Sequence, residues 1–154
     1  MRSIYIVDDD QSVRSELYSL LSVYPNTLLR SFASGDDFLA ELGDIHSALI
    51  LLDMNMPGAS GFDVLAAIRD RKDLLSIVIT GQGDTRMAVQ AMKAGAIDFL
   101  EKPCEPKALL QTIDQAFENL EETEQVIART GEAREKVSRL SARERDVLEG
   151  LIEG

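Results

Sequence analysis

The sequence predicts a doubly wound α/β domain built on five parallel strands. Three observations predict it. Five short, β-branched or apolar runs alternate with five segments of helical periodicity, the pattern of successive right-handed βαβ units. The central run, Ala48 to Leu52, is apolar throughout, as a strand covered on both faces is. Polar residues collect just past the ends of the runs, where ligands sit in such sheets.

The elements follow in order. Ser3 to Val7 is a strand that stops at three aspartates, and a helix follows with Val13, Leu17, Leu20 and Leu21 at spacings of three and four. Pro25 and Asn26 break the chain before a second strand, Thr27 to Phe32. Ser34 and Gly35 open a short helix carrying Phe38, Leu39 and Leu42, which leads to the third strand, Ala48 to Leu52. Ser60 and Gly61 introduce a helix with Val64, Leu65 and Ile68, and Leu75 to Ile79 is the fourth strand. Asp84 caps a helix running to Ala94, with Gly95 as its left-handed stop. Ala96 to Leu100 is the fifth strand, before a helix with Leu109, Leu110, Ile113 and Phe117.

Composition narrows the function. The 154 residues hold one full α/β domain and a short appendage, and 45% hydrophobic with 28% charged residues is a soluble, globular balance. No run is long enough to span a membrane, and no secretory signal precedes the first strand. One cysteine, Cys104, excludes an internal disulfide and fits a reducing cytoplasm. One histidine, His46, excludes a His-rich metal site. A net charge of −11 opposes direct binding of nucleic acid by this chain and suits a divalent cation or a protein partner.

Asp8 and Asp9 follow the first strand, Asp53 the third, Thr80 the fourth and Lys102 the fifth. In a 2-1-3-4-5 sheet these groups converge. Two bare carboxylates about 4 Å apart repel by about 4 kcal/mol at an effective dielectric near 20, so the cluster needs a proton or a cation. Mg²⁺ takes hard oxygen ligands, a lysine ammonium can hold a phosphoryl oxygen, and a threonine hydroxyl can donate to another. A carboxylate can itself be a nucleophile and form an aspartyl-phosphate. Nucleophile, metal, cation and hydroxyl are together the parts of a phosphoryl-transfer site. Singly, each residue has a plainer reading as cap, turn, core or surface. Their ordered placement at strand ends carries the inference.

The segments IYIVDDD, LLDMNMPGASGFDVL, VITGQGD and MAVQAMKAGAIDFLEKP resemble a bacterial response-regulator receiver domain, especially the FixJ-like group, over residues 1 to 120. The resemblance implies a flavodoxin-like (CheY-like) fold and Asp53 as phospho-acceptor. It implies that Asp8, Asp9, Asp53 and the backbone carbonyl of Asn55 hold Mg²⁺. Thr80 matches the switch hydroxyl, Lys102 the phosphate-binding lysine and Phe99 the switch aromatic, and the Lys102–Pro103 bond is expected to be cis. Val89, Met92 and Lys93 are the outward residues of the fourth helix, the expected dimer face.

The remaining residues keep plain roles. Asp10 is a helix cap, His46 a loop residue, and Met54 and Met56 are packing, since Mg²⁺ disfavours sulfur. Cys104 stands where the family often has a bulky apolar residue and is read as packing.

Three segments are expected: a receiver domain over 1–120, a helical linker over 121–139, and the start of an output domain over 140–154. In the linker, Leu120, Val126, Ile127, Ala133, Val137 and Leu140 keep a loose helical spacing through a charged stretch. Either a solvated helix or flexible linker, or a helix pairing with a second subunit, fits; Thr130 and Gly131 weaken a continuous heptad. In the last segment Ser141 and Glu144 have capping-box spacing, and Val147, Leu148 and Leu151 share one face. This segment resembles the opening of the helix-turn-helix output domain of LuxR/FixJ-type transcription factors; the plainer reading is a capped amphipathic helix. The chain stops at Gly154, within that output domain and before a recognition helix.

The reading that results is a cytoplasmic two-component response regulator, not an enzyme acting on an external metabolite. It takes a phosphoryl group on Asp53 from a sensor histidine kinase, and so controls dimerisation and DNA binding of a transcription factor. DNA is contacted only through a complete output domain, and no membrane is involved. The alternative is a stand-alone receiver acting through protein contacts or as a phosphate sink.

Overall fold

The computed structural model describes the backbone of residues 2–81 and 85–137 and the side chains of residues 2–81 and 85–122. Five strands, β1 (Arg2–Val7), β2 (Thr27–Phe32), β3 (Ala48–Asp53), β4 (Leu74–Thr80) and β5 (Asp98–Glu101), form one sheet in the order β2-β1-β3-β4-β5. All four pairings are parallel. The helices are α1 (Gln11–Leu21), α2 (Gly35–Glu41), α3 (Gly61–Ile68), α4 (Thr85–Lys93) and α5 (Pro106–Val137), with a 3₁₀ turn at Leu42–Asp44.

Strand alternation divides the core between the two faces of the sheet. Ile4, Ile6, Leu49, Leu51, Ile77 and Ile79 pack with Leu17 and Leu21 of α1 and Leu109, Ile113 and Phe117 of α5. On the other face Tyr5, Val7, Ile50, Leu52 and Val78 pack with Phe38 of α2, Val64 and Leu65 of α3 and Ala91 of α4. Every residue of β3 is buried, as expected for a central strand with helices on both sides.

Local chemistry sets the helix starts. Asp10 accepts from the amides of Ser12 and Val13, Ser34 from that of Asp37, and Ser60 and Asp63 form a reciprocal capping box. Gly95, at φ +115, follows α4 as expected, although the helix ends at Lys93 rather than Ala94. The fifth strand begins at Asp98, two residues later than expected. Ala96 donates its amide to Ala91 at the end of α4, so the ladder starts only after Ile97 reaches the Ser76 carbonyl. Helix α5 continues through Thr130 and Gly131 without a break. The Asp84 cap, the linker side chains beyond 122 and the segment 140–154 lie outside the described residues.

Candidate functional site

Parallel strands aim their C-terminal ends at one rim of the sheet, and the site is built there. Asp8 follows β1, Asp53 ends β3, Thr80 ends β4, and Lys102 follows β5. One carboxylate oxygen from each of Asp8, Asp9 and Asp53 lies within 4.8 Å of the others. Asp8 and Asp53 are buried and Asp9 is exposed, so the cluster opens to solvent through Asp9. Lys102 Nζ donates to Asp8 Oδ2 at 2.9 Å and to Asp53 Oδ1 at 3.4 Å.

The charges are unevenly matched. One ammonium faces three acids, and burial followed by the Asp8 charge raises the pKa of Asp53 above the ordinary carboxylate value. Lys102 and the Asn55 amide, which donates to the Asp53 carboxylate, oppose that rise without cancelling it. For Lys102 burial works against the charge, but the hydrogen bonds and charges of Asp8 and Asp53 win, and its pKa is raised. The site therefore holds excess negative charge in a partly dry place, the condition that favours a hard cation.

Thr80 is fully buried, and its Oγ1 is the buried side-chain polar atom without a hydrogen-bond partner among the described residues. A buried, unsatisfied hydroxyl costs roughly 1–3 kcal/mol. Its backbone is well held, since Lys102 N donates to Thr80 O at 2.7 Å. Phe99 is half-buried and packs against the α2–α4 side of the core, with its residue in register with Val78 of β4. The Lys102–Pro103 bond is cis. Val89 and Met92 are exposed at 48% and 41%, and Lys93 is exposed beside them. They lie on α4.

Several supporting residues were not foreseen. Gly61 opens α3 against the backbone of Asp53 and Met54, and a Cβ there would lie 2.8 Å from Asp53 O and 2.7 Å from Met54 Cα. Asp36, in the first turn of α2, accepts from the Ala59 amide at 3.2 Å and so ties α2 to the loop after Asp53. Arg14 donates to the Asp8 carbonyl at 2.7 Å. Only Gly61 had a sequence signal, a glycine directly after a capping serine. Met54 and Met56 are buried, as the packing reading expects. Cys104 is half-buried against the α1/α5 side of the core, and burial raises its thiol pKa, which keeps it protonated. His46 is an exposed loop residue whose Nδ1 lies 3.8 Å from Asp73.

Fold and rim together define a receiver-type α/β domain with an acidic centre. Residues 4–114 match the response regulator receiver domain family, and the chain belongs to that family. It is 38% identical to the transcriptional regulatory protein FixJ of Rhizobium meliloti (strain 1021) over 153 residues, 99% of this chain and 74% of that protein. It is 36% identical to the response regulator protein TmoT of Ectopseudomonas mendocina over 152 residues, 98% of this chain and 69% of that protein. Among solved structures, a FixJ-N crystal structure matches with a TM-score of 0.70 at 39% identity, covering 77% of this chain and 94% of that one. The response regulator StyR matches with a TM-score of 0.79 at 36% identity, covering 99% of this chain and 77% of that one. The protein is a two-component response regulator receiver related to transcriptional regulators. No helix among the described residues is long and apolar enough to cross a membrane.

Proposed function

We propose that Asp53 accepts a phosphoryl group from a sensor histidine kinase, with Mg²⁺ bound at the acidic rim. The observation that carries this reading is the meeting of three carboxylates with one ammonium at the strand ends. Asp8, Asp9 and Asp53 supply the hard oxygen donors that Mg²⁺ takes, with the Asn55 backbone carbonyl as a further ligand, and their excess negative charge fits the ion. Bound there, Mg²⁺ offsets the carboxylate charge and the charge of the incoming phosphoryl group.

An Asp53 carboxylate oxygen attacks phosphorus in line with the donor. The phosphorus–nitrogen bond to the donor histidine breaks, and its electron pair stays on the imidazole. Lys102, already within reach of Asp53, holds a phosphoryl oxygen as a point charge. The phosphoryl group brings a charge of roughly −1.5 to −2 and strong acceptor oxygens, which give the orphaned Thr80 hydroxyl a partner. As Thr80 moves toward them, Phe99 turns into the space it leaves. The altered face of α4 and β5, with Val89, Met92 and Lys93 outward, then pairs two chains.

The output is DNA binding by a transcription factor, which the names of FixJ and its relatives support. The chain divides into a receiver over 1–120, a helical linker over 121–139 and the start of an output domain over 140–154. Its setting is the cytoplasm, its partners are a kinase and a second copy, and DNA is met through a complete output domain. The chemistry modifies the chain itself rather than an external metabolite. Intact-mass measurement after incubation with acetyl phosphate tests the reading: one phosphoryl adduct forms with Mg²⁺ and none forms in EDTA. An equal yield in EDTA contradicts it.

A further inference from the structure

Asp8 is held at every polar position. Its amide donates to Phe32 O at 3.1 Å, and its Oδ1 accepts from the Asp10 amide at 2.9 Å. Its Oδ2 accepts from Lys102, and its carbonyl oxygen accepts from Arg14 Nη1 at 2.7 Å. The last bond differs from the rest. Asp8 lies where β1 leaves the sheet, so its amide still bonds to the end of β2 while its carbonyl has lost its strand partner. A buried carbonyl needs a donor, and the guanidinium of Arg14, in the first turn of α1, supplies a charge-assisted one. In a chain of net charge −11, Arg14 thus places its guanidinium on a main-chain oxygen.

The carbonyl of Asp8 belongs to the peptide that joins Asp8 to Asp9. Fixing that plane fixes where the Asp9 side chain leaves the chain. Asp9 has no hydrogen-bond or ion-pair partner of its own among the described residues, so its position in the cluster depends on its backbone. We infer that Arg14 is a positioning residue for the acidic rim: through the Asp8 carbonyl it orients the Asp8–Asp9 peptide and presents Asp9 to the cation. The inference rests on the metal reading proposed above.

Partners that orient ligating side chains typically contribute about ten- to a hundredfold to metal affinity. Mn²⁺, a hard ion whose free form is counted by electron paramagnetic resonance, serves as the probe. Arg14→Gln is expected to weaken Mn²⁺ binding about tenfold, while the domain stays folded in EDTA with a modestly lowered unfolding temperature, since the Asp8 carbonyl loses its charge-assisted donor. Labelling by acetyl phosphate slows at limiting Mg²⁺ and recovers at saturating Mg²⁺. Arg14→Lys keeps a cationic donor on a long stem and regains most of the affinity. Equal affinity in wild type and Arg14→Gln overturns the inference. So does a loss that is accounted for by the unfolded fraction at the temperature of the binding measurement, or one that Arg14→Lys shares in full. A wild-type chain that binds no Mn²⁺ overturns the metal reading as well, which separates the two failures.

Discussion

Lys102 and Thr80 are joined through the main chain, Lys102 N donating to Thr80 O at 2.7 Å, while the Thr80 hydroxyl has no hydrogen-bond partner among the described residues. The strand ends are thus fixed while one side-chain group between them stays unsatisfied. Thr80→Val replaces that hydroxyl with a methyl group of similar size. It is expected to stabilise the unphosphorylated domain by about 1 kcal/mol, because an orphaned polar group is removed from the interior. Urea unfolding measures the gain. The same variant should accept a phosphoryl group yet show a weakened response on α4, read as smaller amide shift changes with beryllofluoride. Destabilisation would mean that the hydroxyl already has a partner.

Gly61 is constrained by contact rather than by a left-handed backbone. A Cβ at this position meets Asp53 O, Met54 Cα and Met54 Sδ, and two of these three atoms are backbone that cannot swing aside. Gly61→Ala is expected to cost about 2 kcal/mol, as overpacking typically does. Because the displaced backbone carries Asp53, labelling by acetyl phosphate should fall as well. Thermal unfolding and labelling rates check the two effects, and an unchanged rate would separate α3 from the site.

The raised pKa of Asp53 has a definite sign in stability. An acid whose folded pKa exceeds its unfolded one binds more protons when folded, so stability falls as pH rises through the folded value. Once the pH lies above that folded value, the folded wild type in EDTA bears the full penalty of a buried, crowded carboxylate. Asp53→Asn removes it and should gain about 1 kcal/mol there. That gain should vanish below the ordinary carboxylate range, where the acid is neutral in both states. Added Mg²⁺ should raise the unfolding temperature of wild type more than that of the variant. An Asp53→Asn destabilised above the folded pKa of Asp53 would contradict this balance.

Val89 and Met92 expose apolar surface on α4. Beryllofluoride is expected to raise the dimer fraction in sedimentation, and Val89→Asp to prevent the rise without blocking phosphorylation, since a charge buried in an apolar contact typically costs several kcal/mol. A dimer equally populated with and without the mimic, and insensitive to Val89→Asp, would assign pairing to the helix beyond Leu120.

Much of the fold and rim was legible in the sequence because the signals are local. Hydrophobic runs mark the strands, and Asp8, Asp53, Thr80 and Lys102 each stand at or just past the end of one. The start of β5 was misplaced because Ala96 has a strand-like neighbourhood but gives its amide to α4. Arg14 on the Asp8 carbonyl and Asp36 on the Ala59 amide were not legible, and Gly61 was legible as a helix start but not as a contact with Asp53. Each depends on how closely separate elements approach, which neither periodicity nor residue type encodes. Arg14 stands on the half-buried side of α1, where its spacing carries no sign of a main-chain partner.

The central claim is that Asp53 is the acceptor, and mapping the phosphoryl group tests it most directly. Wild type and Asp53→Asn are incubated with acetyl phosphate and Mg²⁺, then treated with borohydride, which reduces an acyl phosphate to an alcohol at the modified residue. The account predicts that peptide mass spectrometry finds homoserine at position 53 in wild type and no labelling of Asp53→Asn, whose fold is retained. An acid-stable phosphate on another residue, or undiminished labelling of the variant, would contradict it.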